Sequence, residues 1–206
     1  MRAASGAITS FDASSGTGYL STFAFGINAT GAVTGFYLIN VAPYGATYGF
    51  VRAADGTMST FNAPGAGTGS TQGTLPVSIN AAGAVTGYYI DASGVAHGFV
   101  RAAGGTTTTF DVPGAAGTYG NSISDGGAIA GYYIDANGVE HGFARGARGA
   151  ITSFDAPGAG TIAQRGTSAL SINNAGTIAG YCTDANYVSH GFVRTASGGR
   201  DRGALR

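Results

Sequence analysis

Three histidines share one repeated setting: His97, His141 and His190 each precede Gly-Phe and follow an Asp (Asp91, Asp135, Asp184) six residues earlier. Imidazole and carboxylate are both metal ligands, and equivalent His on a repeated scaffold first suggest a metal site. Such ligands must converge within about 2–2.5 Å of the ion. These three fall on outer strands of separate repeats, so each is expected to hydrogen-bond within its own hairpin or to a neighbouring repeat. The Asp residues, with Asn40 in the first repeat, open short turns. Residues 135–138, Asp-Ala-Asn-Gly, resemble half of a calcium loop. An EF-type loop needs a longer ligand series and a closing Glu, which is missing. Each Asp is therefore expected to accept backbone N–H bonds in an Asx-turn. No cofactor is expected, and Ca²⁺ is the metal that the carboxylates would suit best.

A second carboxylate set follows Phe: Asp12, Asp111 and Asp155, with Asn62 in one repeat. Paired carboxylates could serve glycoside hydrolysis. That chemistry needs two carboxyl groups in different environments, whereas repeats supply one environment several times. Glu140 is the only Glu. There is no G-x-S-x-G elbow, no P-loop and no dinucleotide fingerprint in a strand–helix context. The chain is not expected to be an enzyme. Tyrosines at Tyr88, Tyr132 and Tyr181 stand on strands where a ring could face a groove and stack on a sugar, or pack between repeats. The candidate ligand-binding residues are these three Tyr with Asp91, Asp135, Asp184, His97, His141 and His190; the candidate ligands are glycans.

The elements that carry these residues recur. Phe-Asp/Asn occurs at 11–12, 61–62, 110–111 and 154–155; Ile-Asn/Ser at 27–28, 79–80, 123–124 and 172–173; a Gly-aromatic run begins at Gly35, Gly87, Gly131 and Gly180. The Gly of Tyr/His-Gly-Phe recurs after 49, 44 and 49 residues, in the range of propeller blades. Residues 77–113 hold four β-rich runs separated by Gly-, Asn- or Asp-containing turns, which are hairpin signals. No segment keeps a 3.6-residue period. The runs are apolar at odd and even positions alike, as for sheets covered on both faces. The mid-strand glycines are expected where another backbone or a ring comes close.

Composition agrees with this reading. Gly makes up 38 of 206 residues, charged residues 10%, and every basic residue is Arg. Net charge is zero, so no basic field exists to hold a phosphate backbone and nucleic acid is not an expected partner. Eleven Phe and eleven Tyr argue against disorder. No run reaches the length of a membrane span. Residues 1–12 lack the apolar core of a signal peptide. Cys182 stands where other repeats have Tyr89 and Tyr133, and reads as a small buried hydrophobe.

The pattern I-N-x-x-G-x-x-x-G-Y-Y-x-D-x-x-G-x-x-H-G-F, followed by F-D-x-P-G-A, resembles the bacterial extracellular repeats called the HAF family after their His-x-Phe signature. The first repeat departs most: Tyr48 replaces His, Asn40 replaces Asp, and Pro43-Tyr44 lengthens a loop. The resemblance implies a secreted or surface-attached protein of propeller-like repeats and no assigned chemistry.

The repeats begin with a fourth run (7–12) and end with a third (188–194). In a closed ring the former completes the latter. The expected fold is an all-β propeller of four four-stranded antiparallel blades: 20–62, 75–112, 118–155 and 169–194, the last completed by 7–12, with 199–206 a flexible tail. An excerpt of a longer repeat array, two copies closing a larger ring, or strand exchange between copies satisfies the same phase. The expected role is a non-catalytic extracellular repeat domain serving structure, adhesion or self-assembly, with carbohydrate binding as the alternative and a glycan-active enzyme as the third choice.

Overall fold

The computed structural model describes residues 6, 8–13, 19–40 and 45–196. Ala7, Pro43, Tyr44 and the 199–206 tail, to which the sequence assigned a strand start, a longer loop and a flexible end, lie outside the described residues. Among the described residues there are fifteen strands and no helix, so the fold is all-β. Unit 1 holds β1 (Tyr19–Ile27), β2 (Val33–Asn40), β3 (Ala46–Arg52) and β4 (Met58–Phe61). Unit 2 holds β5 (Gly73–Ile79), β6 (Val85–Ile90), β7 (Ala96–Arg101) and β8 (Thr107–Phe110). Unit 3 holds β9 (Gly117–Ile123), β10 (Ile129–Ile134), β11 (Glu140–Arg145) and β12 (Ile151–Phe154). Unit 4 holds β13 (Gly166–Ile172), β14 (Ile178–Thr183) and β15 (Ser189–Arg194).

Each unit is an antiparallel meander in which successive strands pair. Its short turns are closed by polar side chains: Asn80 Oδ1 accepts from the Ala84 N–H at 2.9 Å, and Asp91 Oδ1 from those of Ser93 and Val95 at 2.8 Å. The first strand of every unit carries a bulge, for example between Pro76 and Ser78, which bends the strand and adds twist. Opposite that bulge stands the mid-strand glycine. A Cβ at Gly87 would run into the Leu75 carbonyl oxygen, so the expected close backbone approach comes from the paired strand of the same meander.

The strands form two sheets. Units 1 and 2 make an eight-stranded sheet, and units 3 and 4 a seven-stranded one. Within each sheet the units are joined by one parallel bridge, Thr47 to Gly73 or Glu140 to Gly166. Link length explains this. Residues 62–72 and 155–165 separate the units of each sheet, but only 111–116 separates unit 2 from unit 3. The longer links loop back so that Thr47 N–H reaches the Gln72 carbonyl (2.9 Å) and Glu140 N–H that of Arg165 (2.8 Å). Gly73 and Gly166, at φ 115° and 123°, follow directly. A side chain there would be strained and would meet the partner strand's carbonyl.

Consecutive units pack face against face, and each junction repeats its contacts. Phe61 meets Phe99, Phe110 meets Phe143 and Phe154 meets Phe192, all edge-on at 5.9–6.0 Å. Phe50, Phe99 and Phe143 are fully buried at the centres of their clusters. The main contacts among the described strands run from unit 1 to 2, 2 to 3 and 3 to 4. No main contact links unit 4 to unit 1 among the described residues, so the four units stand as an open series. Closure of that series into a four-bladed ring is not among the described contacts.

Candidate functional site

The His and Asp candidates assemble into side-chain clamps. In unit 2, His97 Nδ1 lies 3.0 Å from both carboxylate oxygens of Asp111, and Nε2 lies 3.4 Å from Asp91 Oδ2. In unit 3, His141 Nδ1 lies 2.9 Å from Asp155 and Nε2 3.7 Å from Asp135. The ring is held from below by a tyrosine directly across the strand pair, Tyr89 on His97 and Tyr133 on His141, both at 5.0 Å and near parallel. Asp on the turn, His on the third strand and Asp after the fourth strand thus meet because the meander folds three sequence-distant points onto one edge. His190 has Asp184 at 3.3 Å and is 55% exposed, against 22–23% for the other two. Unit 1 replaces the set with Tyr48 stacked on Tyr37 at 5.5 Å.

The electrostatics follow from the geometry. A neutral imidazole offers one N–H, whereas an imidazolium offers one to each flanking carboxylate. At His97 burial works against the charge, but the hydrogen bonds and charges of Asp111 and then Asp91 outweigh it and raise the pKa. Asp91, Asp135 and Asp184 are held below the usual carboxylate range, first by the backbone N–H of Val95, Val139 and Val188 respectively. These are the Asx-turn bonds expected from the sequence. The two carboxylates of a clamp sit on opposite edges of the ring. Among the described residues no three His, Cys, Asp or Glu side chains are grouped to hold a metal ion.

The Tyr candidates lie elsewhere. Tyr88 packs edge-on against Tyr119 at 4.9 Å, and Tyr119 stacks flat on Tyr132 at 4.7 Å. This column crosses the junction between units 2 and 3. Burial pushes the Tyr88 and Tyr132 hydroxyls up, with Tyr119 adding to both. Tyr181 occupies the same register in unit 4, facing Ser168, and is 39% exposed. The nine candidates therefore form three separated His–Asp groups at strand edges, one aromatic column that takes in Tyr88 and Tyr132, and Tyr181 apart from it, not one centre. Beside the unit 3 clamp a cleft of 240 Å³ is lined by Asp135, Asn137, His141, Asp155 and Thr161.

Two kinds of participant escaped the sequence reading: Asp111 and Asp155 as His partners, and Tyr119 as the middle of the column. The first had a readable signal. The fourth-strand position is Asp in units 2 and 3, which carry His97 and His141, and Asn62 in the unit with Tyr48. Cys182, across from His190, is buried with its Sγ 3.9 Å from the Pro157 carbonyl. No helix among the described residues is long and apolar enough to cross a membrane, which leaves β-barrel insertion aside. No family model and no curated protein matches the chain.

Proposed function

We propose that the chain is a non-catalytic extracellular repeat domain, of the kind its sequence resembles, in which meanders act as propeller-type blades for structure, adhesion or self-assembly. The observation that carries this reading is repetition of role. The residues with most chemical potential do the same internal job in units 2 and 3, where His97 and His141 are each clamped by two carboxylates and stacked on the facing Tyr. Catalytic sites set one pair of groups apart from the rest; these clamps do the opposite. A Lys-free surface kept polar by Thr, Ser and Asn fits an exported protein, and the neutral net charge gives no support to nucleic acid as a partner.

Carbohydrate binding is the second reading, favoured by the cleft at Asp135, Asn137 and Asp155, whose acceptors and amide suit sugar hydroxyls. A glycan array with a hydrolysis panel tests both. Turnover of any glycoside refutes the non-catalytic reading. Binding at millimolar sugar that Asp135→Asn abolishes would replace it by the lectin reading, and silence in both assays supports it.

A further inference from the structure

The two ends of the unit series carry matching, uncovered halves of the junction that the interior repeats three times. Ile79, Ile123 and Ile172 are 6–8% exposed, but the equivalent Ile27 on β1 is 59% exposed, beside Phe23 at 42% and Phe25 at 58%. At the other end Val193 on β15 is 71% exposed and Leu170 49%. Polar groups are matched too. The N–H of Ile123 donates to Ser78 Oγ and that of Ile172 to Ser122 Oγ, at 3.3 and 3.2 Å. Asn28 Nδ2 donates to the Asn80 carbonyl, and Asn80 Nδ2 to that of Ser124. The next members of these ladders are Ser171 and Asn173, both exposed on unit 4.

Residues 8–13 match the missing strand in sequence. The tetrapeptide 8–11, ITSF, repeats β12 letter for letter. It already sits on unit 1 as β4, β8 and β12 sit on the units that follow them. Phe11 meets Phe50 edge-on at 5.9 Å, Arg52 lies over Phe11 at 5.0 Å, and the Ala13 N–H donates to Thr22 Oγ1 at 3.1 Å. The interior equivalents are Phe61 on Phe99, Arg101 over Phe61 and Ala63 N–H to Thr74 Oγ1. Yet Ile8 is 84% exposed, whereas its equivalents Met58 and Ile151 pack on hydrophobic clusters. Among the named strands β15 is paired with β14 alone, and a groove of 320 Å³ lies between Phe154–Pro157 and Phe192–Thr195. Asp12 follows Phe11 as Asp111 and Asp155 follow their Phe, and His190 Nδ1 has no carboxylate among the described residues.

We infer that a second copy of this chain docks head to tail on unit 4. Its residues 8–11 add to β15 as the fourth strand, its Asp12 closes the clamp on His190, and its β1 face covers β13 and β14. The registers of β4 on β3, β8 on β7 and β12 on β11 place Phe11 opposite Gly191, Ser10 opposite Phe192 and Thr9 opposite Val193. The occupant is a copy, and not the chain's own first unit, because among the described strands unit 4 makes no main contact with unit 1. Such an interface is heterologous and produces a ring or a filament. This deepens the self-assembly part of the reading above.

The experiment mixes Thr9→Cys and Val193→Cys chains, each also carrying Cys182→Ala and checked for folding by circular dichroism. Facing residues of an antiparallel pair lie within disulfide reach. Oxidation is expected to give a covalent dimer only from the mixture, and sedimentation of the wild type to show mass rising with concentration. Ile27→Asp, exposed in the single chain and so compatible with folding, is expected to abolish that rise. A folded chain that stays monomeric, an association indifferent to Ile27→Asp, or a Thr9→Cys/Val193→Cys chain that closes only on itself overturns the inference. None of these outcomes bears on turnover or sugar binding, which decide the broader reading separately.

Discussion

Two phenylalanines in equivalent registers offer a controlled comparison. Phe143 on β11 is fully buried among Val112, Ile123 and Ile129. Phe192 on β15 meets Phe154 in the same edge-on geometry but remains half-buried. Phe143→Ala loses the transfer energy of a buried ring and leaves a cavity, about 3–5 kcal/mol. Phe192→Ala removes a ring with one side in solvent and little cavity follows, so roughly 1–1.5 kcal/mol is expected. With a urea m-value of about 2 kcal/mol/M, the midpoints fall by about 1.5–2.5 M and by less than about 1 M. Measurements at protein concentrations low enough to disfavour association isolate the single chain. Raising the concentration should enlarge the Phe192 effect as the second copy covers the end. Equal losses for the two variants in dilute solution would mean that unit 4 is already covered within one chain, and would sink the open-end argument.

Three further outcomes follow from the same geometry. His97 has a raised pKa, so its clamp contributes fully below about 6.5, its unfolded value, and that contribution is lost as pH rises through the folded value. Asp91 has a lowered pKa, so its share is present above 3.8 and is lost as pH falls through the folded value; His97→Gln should flatten the alkaline decline in urea midpoint and leave the acid limb. Gly166→Ala, at φ 123° and against the Glu140 carbonyl, should cost about 2–3 kcal/mol and expose the Glu140 amide to hydrogen exchange, an amide that stays protected if the bridge is dispensable. Asn80→Ala strips a buried residue of bonds to Ala84 and Ser124 and should cost about 1–3 kcal/mol, with Asn173→Ala costing clearly less in dilute solution; parity between the two would argue against the exposed ladder end.

Strand positions were legible in the sequence because their signals are local. Gly, Asn and Asp at fixed offsets close the turns, and the structure places β6 to β8 within the runs read from residues 77–113, with β5 starting earlier, at Gly73. Asp91, Asp135 and Asp184 were likewise legible as turn-formers, since their partners lie two and four residues away. The clamps were only half legible. His97 and Asp111 are fourteen residues apart and meet through the register of β7 on β8, which pattern reading did not fix. The division into two sheets was hidden for a different reason. The 49-44-49 spacing was visible, but its effect depends on where the five extra link residues go, and they go into the parallel bridges at Gly73 and Gly166.

That alternation gives the junctions unequal chemistry. Junctions 1/2 and 3/4 carry a backbone bridge. Junction 2/3 has the short link, and in place of the bridge it has the Tyr88–Tyr119–Tyr132 column with polar ties such as Ala81 N–H to Asp125 Oδ1 at 2.8 Å. In a repeat array, cooperativity holds as long as each interface outweighs the difference in stability between its neighbours. Tyr119 makes both ring contacts in the column. Tyr119→Ala therefore removes two aromatic pairs at about 0.5–1.5 kcal/mol each, Tyr88–Tyr119 across the junction and Tyr119–Tyr132 within unit 3, and the burial of a half-covered ring at about 1–1.5 kcal/mol, roughly 2–4.5 kcal/mol in all, of which the junction itself loses the share of one pair and part of the burial. The equivalent substitution Leu75→Ala in unit 2, opposite Tyr88, leaves the bridge of its own sheet intact. Urea unfolding of Tyr119→Ala should then split into two transitions, each with a smaller m-value, one for units 1 and 2 and one for units 3 and 4. Leu75→Ala should keep a single transition. If Tyr119→Ala merely lowers one midpoint at unchanged m-value, the column is ordinary packing and the two sheets fold as one body.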